Sequence, residues 1–129
     1  MAEGPASSDK PILQKLLLKP GQRAAVLNAP ESYQPTMRDV PDVHEQLDGT
    51  FDFIHAFATQ REELLRDGPK WREALAPDGL LWVSYPKGKA IKTDLNRDVV
   101  YRALQQMGLQ TVSQVSIDET WSAMRVKAV

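Results

Sequence analysis

The sequence predicts an α/β fold of the Rossmann-like kind, a three-layer sandwich whose mostly parallel sheet ends in an antiparallel hairpin. Three observations carry this reading. Leu80-Leu81-Trp82-Val83-Ser84-Tyr85 is an almost unbroken apolar run, as a strand is when both its faces are covered. Stretches of helical periodicity separate this run from the other strand-like runs, and crossovers of that kind join parallel strands. The last two strand-like runs stand too close for a crossover, so they pair as a hairpin. Residues 10–129 are expected to form one domain, after a disordered tail over 1–9.

The elements follow in chain order. Asp9 caps a helix with Pro11 in its first turn, and Ile12, Leu13, Leu16 and Leu17 share a face until Pro20-Gly21 ends it. Residues 23–28 read as a buried strand, 35–39 as one helical turn, and 43–47 as a half-buried edge strand. Asp48-Gly49-Thr50 turns the chain into a strand over 51–57. There Phe51, Phe53, His55 and Phe57 point one way, and Asp52, Ile54 and Ala56 the other. Thr59-Gln60-Arg61-Glu62 reads as a capping box that opens a helix. Gly68-Pro69 should kink that helix or split it in two, and Ala76-Pro77-Asp78-Gly79 should be a turn. The central strand stops at Pro86, which has no N–H to donate. A basic loop with Lys87, Lys89 and Lys92 leads to a helix capped by Thr93 or Asp94. Its apolar face is Val99, Val100, Ala103, Leu104 and Met107, and it stops at Gly108. The hairpin takes 111–117, a tight turn at Asp118-Glu119, and 121–126.

Composition narrows the function classes. In 129 residues the hydrophobic share is 42% and the charged share 26%, ordinary for a globular protein. A net charge of −1 argues against nucleic acid or an anionic membrane as partner. The absence of cysteine removes disulfides, thiolate nucleophiles and cysteine metal sites, and fits a cytoplasmic location. No apolar run approaches the ~20 residues of a membrane-spanning helix. A monomer or a homodimer is expected.

Two stretches give a family likeness. Phe51-Asp52-Phe53-Ile54-His55-Ala56-Phe57 and Leu75-Ala76-Pro77-Asp78-Gly79-Leu80-Leu81-Trp82-Val83 resemble the fourth strand and the turn into the fifth strand of class I S-adenosylmethionine-dependent methyltransferases. The resemblance implies a glycine-rich loop after the first strand and an acid after the second that holds the cofactor ribose. Here the loop is Asn28-Ala29-Pro30-Glu31-Ser32-Tyr33, without glycine. Asp39, Asp42 and Glu45 are the acids at hand, none after a clear strand. From these departures S-adenosylmethionine (SAM) is expected not to bind, and no cofactor is assigned. The whole chain also resembles a family of small uncharacterised bacterial proteins, a domain of unknown function. That likeness rests on Lys19-Pro20-Gly21-Gln22-Arg23, Leu27-Asn28-Ala29-Pro30, Trp82-Val83-Ser84-Tyr85-Pro86-Lys87, the stretch Thr93 to Asp98, and Asp118 to Arg125.

In open α/β sheets, ligands bind beyond the carboxyl ends of the strands. The candidate binding residues there are Asn28, Pro30, Phe57, Lys87, Lys89, Asp94 and Arg97. Lysines before a helix N-terminus suit a phosphate or carboxylate, and equally suit a solvated loop. Asn28 either meets a ligand or satisfies its turn, and Asp94 is most simply a cap. Trp121 reads as core or interface. His44 and His55 do not pair as metal ligands, and His55 reads as a satisfied, half-buried histidine. Ser84 lacks a nucleophile elbow, and the spacing of Tyr85 and Lys87 is not that of a short-chain dehydrogenase. The expected function is a non-catalytic binding or regulatory module with an anion or nucleotide site at this edge. The alternatives are a minimal methyltransferase and a dimerisation module built on the hairpin.

Overall fold

The computed structural model describes residues 12–40 and 42–128. The expected tail, the Asp9 cap and Pro11 lie outside them. The elements are α1 (Ile12–Lys15), β1 (Ala24–Leu27), α2 (Gln34–Met37), β2 (Val43–His44), β3 (Phe51–Phe57), α3 (Arg61–Ala74), β4 (Leu75–Pro86), α4 (Arg97–Gln106), β5 (Leu109–Ser116) and β6 (Trp121–Ala128). A 3-10 turn over Glu31–Tyr33 leads into α2.

The strands make one six-stranded sheet in the order β2-β1-β3-β4-β6-β5. β1, β2, β3 and β4 are parallel, β6 runs antiparallel to β4, and β5 antiparallel to β6. Alternation along the central strands gives the sheet two apolar faces. On one, Ile54, Ala56, Leu81 and Val83 pack against Leu64 and Trp71 of α3 and Val100 and Leu104 of α4. On the other, Val26, Phe53, Phe57 and Trp82 pack under Leu16, Tyr33 and Met37. The Trp82 indole N–H donates to the Leu16 carbonyl oxygen at 2.8 Å, so a central strand holds the turn that follows α1. Trp121, with its ring 5.1 Å from that of Phe57, belongs to this second core. Among the described residues no helix is long and apolar enough to cross a membrane.

Several local expectations are corrected. Leu17 leaves the apolar face: it takes φ +65° and is 44% exposed, because α1 ends at Lys15. The edge strand shrinks to Val43–His44. Phe51 joins the α3 side rather than the side of Phe53, because both Asp52 N–H and Phe53 N–H donate to the Arg23 carbonyl and the strand bulges there. The expected turn at 76–79 is the partner of that bulge. β4 is extended from Leu75, and between Phe51↔Leu75 and Phe53↔Leu80 it carries three more residues than β3. Gly79 fits because a Cβ there would come within 3.1 Å of the Asp52 carbonyl oxygen.

The helix at 61 is capped one residue later than expected. Glu63, not Glu62, reaches back, its Oε1 accepting Thr59 N–H at 2.7 Å and Gln60 N–H at 3.1 Å. Pro69 does not divide α3, whose buried Leu64, Gly68 and Trp71 hold one face through the proline. Gly68 lies against Met107, where a side chain would collide. The cap of α4 is Asn96, whose Oδ1 accepts Val99 N–H at 2.9 Å. Asp94 caps the other helix: its Oδ1 accepts the N–H of Arg61, first residue of α3, at 2.8 Å. Beside it, the Thr93 hydroxyl donates to the Thr59 carbonyl. The final turn is fixed by Asp118, whose Oδ1 accepts the N–H groups of Thr120 and Trp121.

Candidate functional site

β1, β3 and β4 are parallel, so their carboxyl ends open on one edge of the sheet. At the end of β1, Asn28 is exposed and takes φ +59°. That left-handed conformation is what a glycine would supply, and asparagine is among the few side chains that adopt it readily. The chain then passes Ala29 and Pro30 and dips at Tyr33, which is 3% exposed. The Tyr33 hydroxyl lies 3.2 Å from His55 Nδ1, and His55 Nε2 lies 2.6 Å from Ser84 Oγ. His55 is fully buried, not half-buried, and is stacked on Phe57 with ring centres 4.3 Å apart. Burial pushes the His55 pKa down to about 3 and raises that of Tyr33. The two groups are therefore neutral at ordinary pH and form neutral hydrogen bonds across three elements.

Beside β1, the two residues of β2 run parallel to it, Ala24↔Val43 and Ala25↔His44. Glu45 follows directly and is exposed. At the end of β3, Phe57 is 2% exposed, so it is floor rather than a contact surface, and Ala58 N–H donates to the Ser84 carbonyl at 3.0 Å.

Beyond β4, Lys87 is tied to the hairpin. Its backbone N–H donates to the Thr120 carbonyl at 2.8 Å, and its Nζ donates to Ser116 Oγ at 2.6 Å. Lys15 Nζ donates to the Ser116 carbonyl at 3.4 Å, so two ammonium groups converge on one serine. Lys89 is exposed. Asp94 is occupied as the α3 cap. Arg97 lies away from the strand ends, in a groove of about 410 Å³ between α4 and β5 that Tyr101 and Gln114 also line.

The seven sequence candidates therefore divide. Asn28, Pro30 and Phe57 belong to the ends of β1 and β3, Lys87 and Lys89 to the segment after β4, Asp94 to a helix cap and Arg97 to another groove. Tyr33 and Lys15 are not among those candidates, and Ser84 is weighed there only as a nucleophile and set aside. A tyrosine in a loop, a serine in an apolar run and a lysine in a short helix carry no signal until the fold joins them.

A search for similar structures finds proteins of one architecture. Ribosomal protein L11 methylase from Lactobacillus delbrueckii subsp. bulgaricus superposes with a TM-score of 0.59 at 17% identity, covering 90% of this chain and 74% of that one. The chain has the class I methyltransferase-like fold. Magnesium protoporphyrin IX methyltransferase from Synechocystis PCC 6803, with bound SAM, gives 0.58 at 12% identity over 85% of this chain and 71% of that. LepI in complex with SAM gives 0.55 at 13% identity, with 92% of this chain covering 39% of that one. No family model and no curated protein matches the sequence.

The expectation that no cofactor belongs to this methyltransferase-like fold is corrected, since such neighbours were crystallised with SAM or S-adenosylhomocysteine. In the structure Asn28 takes the left-handed turn without glycine, the side chains of Ala29, Pro30 and Ser32 remain in the loop, and Glu45 follows the two-residue β2.

Proposed function

We propose that the chain is a minimal SAM-dependent methyltransferase, its cofactor seated at the carboxyl edge of β1 and β3. The observation that carries this reading is the left-handed Asn28 at the end of β1 in a methyltransferase-like sheet, with the Glu45 carboxylate after the adjacent parallel strand. In this reading the 28–33 loop lies along the amino-acid part of the cofactor, and Glu45 accepts hydrogen bonds from the ribose hydroxyls. Bound SAM supplies an electrophilic methyl group, and the chain's part is to orient it and exclude water. This reading replaces the non-catalytic module expected from the sequence.

Titration calorimetry tests it. Wild type should bind SAM or S-adenosylhomocysteine with a micromolar Kd, about −8 kcal/mol. Glu45→Ala should weaken binding by about tenfold or more, or about 1.4 kcal/mol, the scale of a lost charged hydrogen bond. No heat with either ligand would overturn the reading.

We further propose that the methyl acceptor carries a phosphate or carboxylate held by Lys87 and Lys15. The support is their convergence on Ser116 beside the end of β4, with no carboxylate partner for either lysine among the described residues. Inorganic phosphate is the probe. Lys87→Ala should weaken its binding about three- to tenfold, and the effect should shrink as salt rises, because the site is exposed and screened. Phosphate binding indifferent to the substitution would remove this part of the proposal.

A further inference from the structure

The hydrogen bonds of Tyr33, His55 and Ser84 join three places far apart in the sequence: the loop after β1, the middle of β3 and the end of β4. All three side chains are buried, and none is exposed at the strand ends. An apolar core would have served stability without the cost of burying three polar groups. Their placement has a specific geometric consequence. Tyr33 is the last residue of the 3-10 turn that begins one residue after Pro30, so its depth sets the height of Asn28 to Pro30 above the sheet. The ring meets His55 and Phe57 edge-on at 5.1 and 4.9 Å within the core cluster that includes Leu16, Val26 and Met37. The hydroxyl adds a directed contact to His55 Nδ1 at 3.2 Å. Ser84 meets the other ring nitrogen and so fixes the plane of the imidazole, and its own carbonyl accepts Ala58 N–H at the end of β3.

We propose that Tyr33, His55 and Ser84 are positioning residues for the cofactor, a buried relay that holds the 28–33 loop at the height where Asn28 and its neighbours meet SAM. The inference rests on the cofactor reading above and adds residues that touch no ligand. A neutral imidazole donates through one nitrogen and accepts through the other, so the relay has two settings. Either Tyr33 donates to Nδ1 while Nε2–H donates to Ser84, or Ser84 donates to Nε2 while Nδ1–H donates to Tyr33. A ligand that presses on the loop favours one setting, so a ring with no exposed surface should report its arrival.

Two measurements test the relay. The first needs no cofactor: amide hydrogen exchange across residues 28–33, in wild type and in Tyr33→Phe, which keeps the ring and deletes the hydroxyl. Exchange there should quicken by at least about tenfold, while the amides of β3 and β4 stay protected. Ser84→Ala, which breaks the far end, should quicken the same segment. The second follows the ring nitrogens of His55 by nitrogen-15 NMR during titration with SAM. Their shifts should move on saturation in wild type, and Tyr33→Phe should bind SAM about tenfold more weakly, the weight of one hydrogen bond. A wild type that binds SAM with its His55 resonances unmoved, and a Tyr33→Phe that matches it in loop exchange and affinity, would overturn the relay. A wild type that ignores SAM overturns the methyltransferase reading instead. Unchanged loop exchange in both variants then also removes the relay.

Discussion

Trp82→Ala should lower the stability of the protein by about 4 kcal/mol, within the ~3–5 kcal/mol typical of a buried aromatic reduced to alanine. Trp82 is 1% exposed at the middle of the central strand and packs with Phe53 and Leu16. The substitution removes a large volume from a sheet face that cannot close over it, because β3 and β6 fix the backbone on both sides. It also orphans the buried Leu16 carbonyl, the partner of the indole N–H. Such a loss is a large part of the ~5–15 kcal/mol that holds a domain folded. Urea unfolding measures it, with Trp82→Phe as the companion variant. Phenylalanine refills most of the space and loses the N–H bond, so it should cost clearly less. A midpoint unchanged in Trp82→Ala would mean that this face of the sheet is not a core.

Acid should unfold the protein through His55. Burial lowers its folded pKa to about 3, whereas the unfolded chain titrates near 6.5. Between those values the unfolded state binds the extra proton, so stability falls as pH falls. The contribution is fully present above pH ~6.5 and is lost at about 1.4 kcal/mol per unit below it, to a limit of roughly 4–5 kcal/mol near pH 3. Among the described residues, Tyr33, Ser84 and Phe57 face the ring, and none of them is a carboxylate that could hold the proton. Unfolding free energies from denaturant titrations at pH 7, 6, 5 and 4 give the slope. His55→Gln should flatten it, whatever its stability at neutral pH. Equal slopes in the two proteins would mean that folding leaves the pKa of His55 where the unfolded chain has it.

The parallel sheet was legible because its signals are repeated along the chain. The apolar runs 23–28 and 80–85 and the alternation read through 51–57 mark the central strands, and the topology follows from the lengths between them. Errors fell where a partner distant in sequence overrides a local preference. Pro77-Asp78-Gly79 has the chemistry of a turn, yet pairing with β3 draws it into an extended bulge. Gly68-Pro69 has the chemistry of a helix break, yet the packing of Leu64 and Trp71 carries the helix across it. Asn28 is a related case: glycine is the usual way to a left-handed residue, and Asn28 reaches the same φ with a side chain that sequence reading treats as a ligand contact or a turn former. The site itself was less legible than the sheet. Alternation placed His55 with the phenylalanines, but nothing in a linear pattern tells that Tyr33 and Ser84 lie at its two nitrogens.

The cap that Asp94 supplies to α3 bears on the order in which the chain can be assembled. As the polypeptide is made from its N-terminus, the Gln60 and Glu63 contacts can form as soon as the helix emerges, since they are local. The first N–H of the helix, hydrated until then, meets its protein acceptor only when a residue 33 positions later has been synthesised. By then β4 has also emerged, and the Thr93 contact to Thr59 closes across the same gap. The strand, helix and strand of this crossover therefore reach their final form together. A chain arrested before β4 is made would hold α3 without its Asp94 cap and β3 with an unpaired edge. That species is the one most exposed to wrong strand pairing, and to capture by a chaperone, during synthesis.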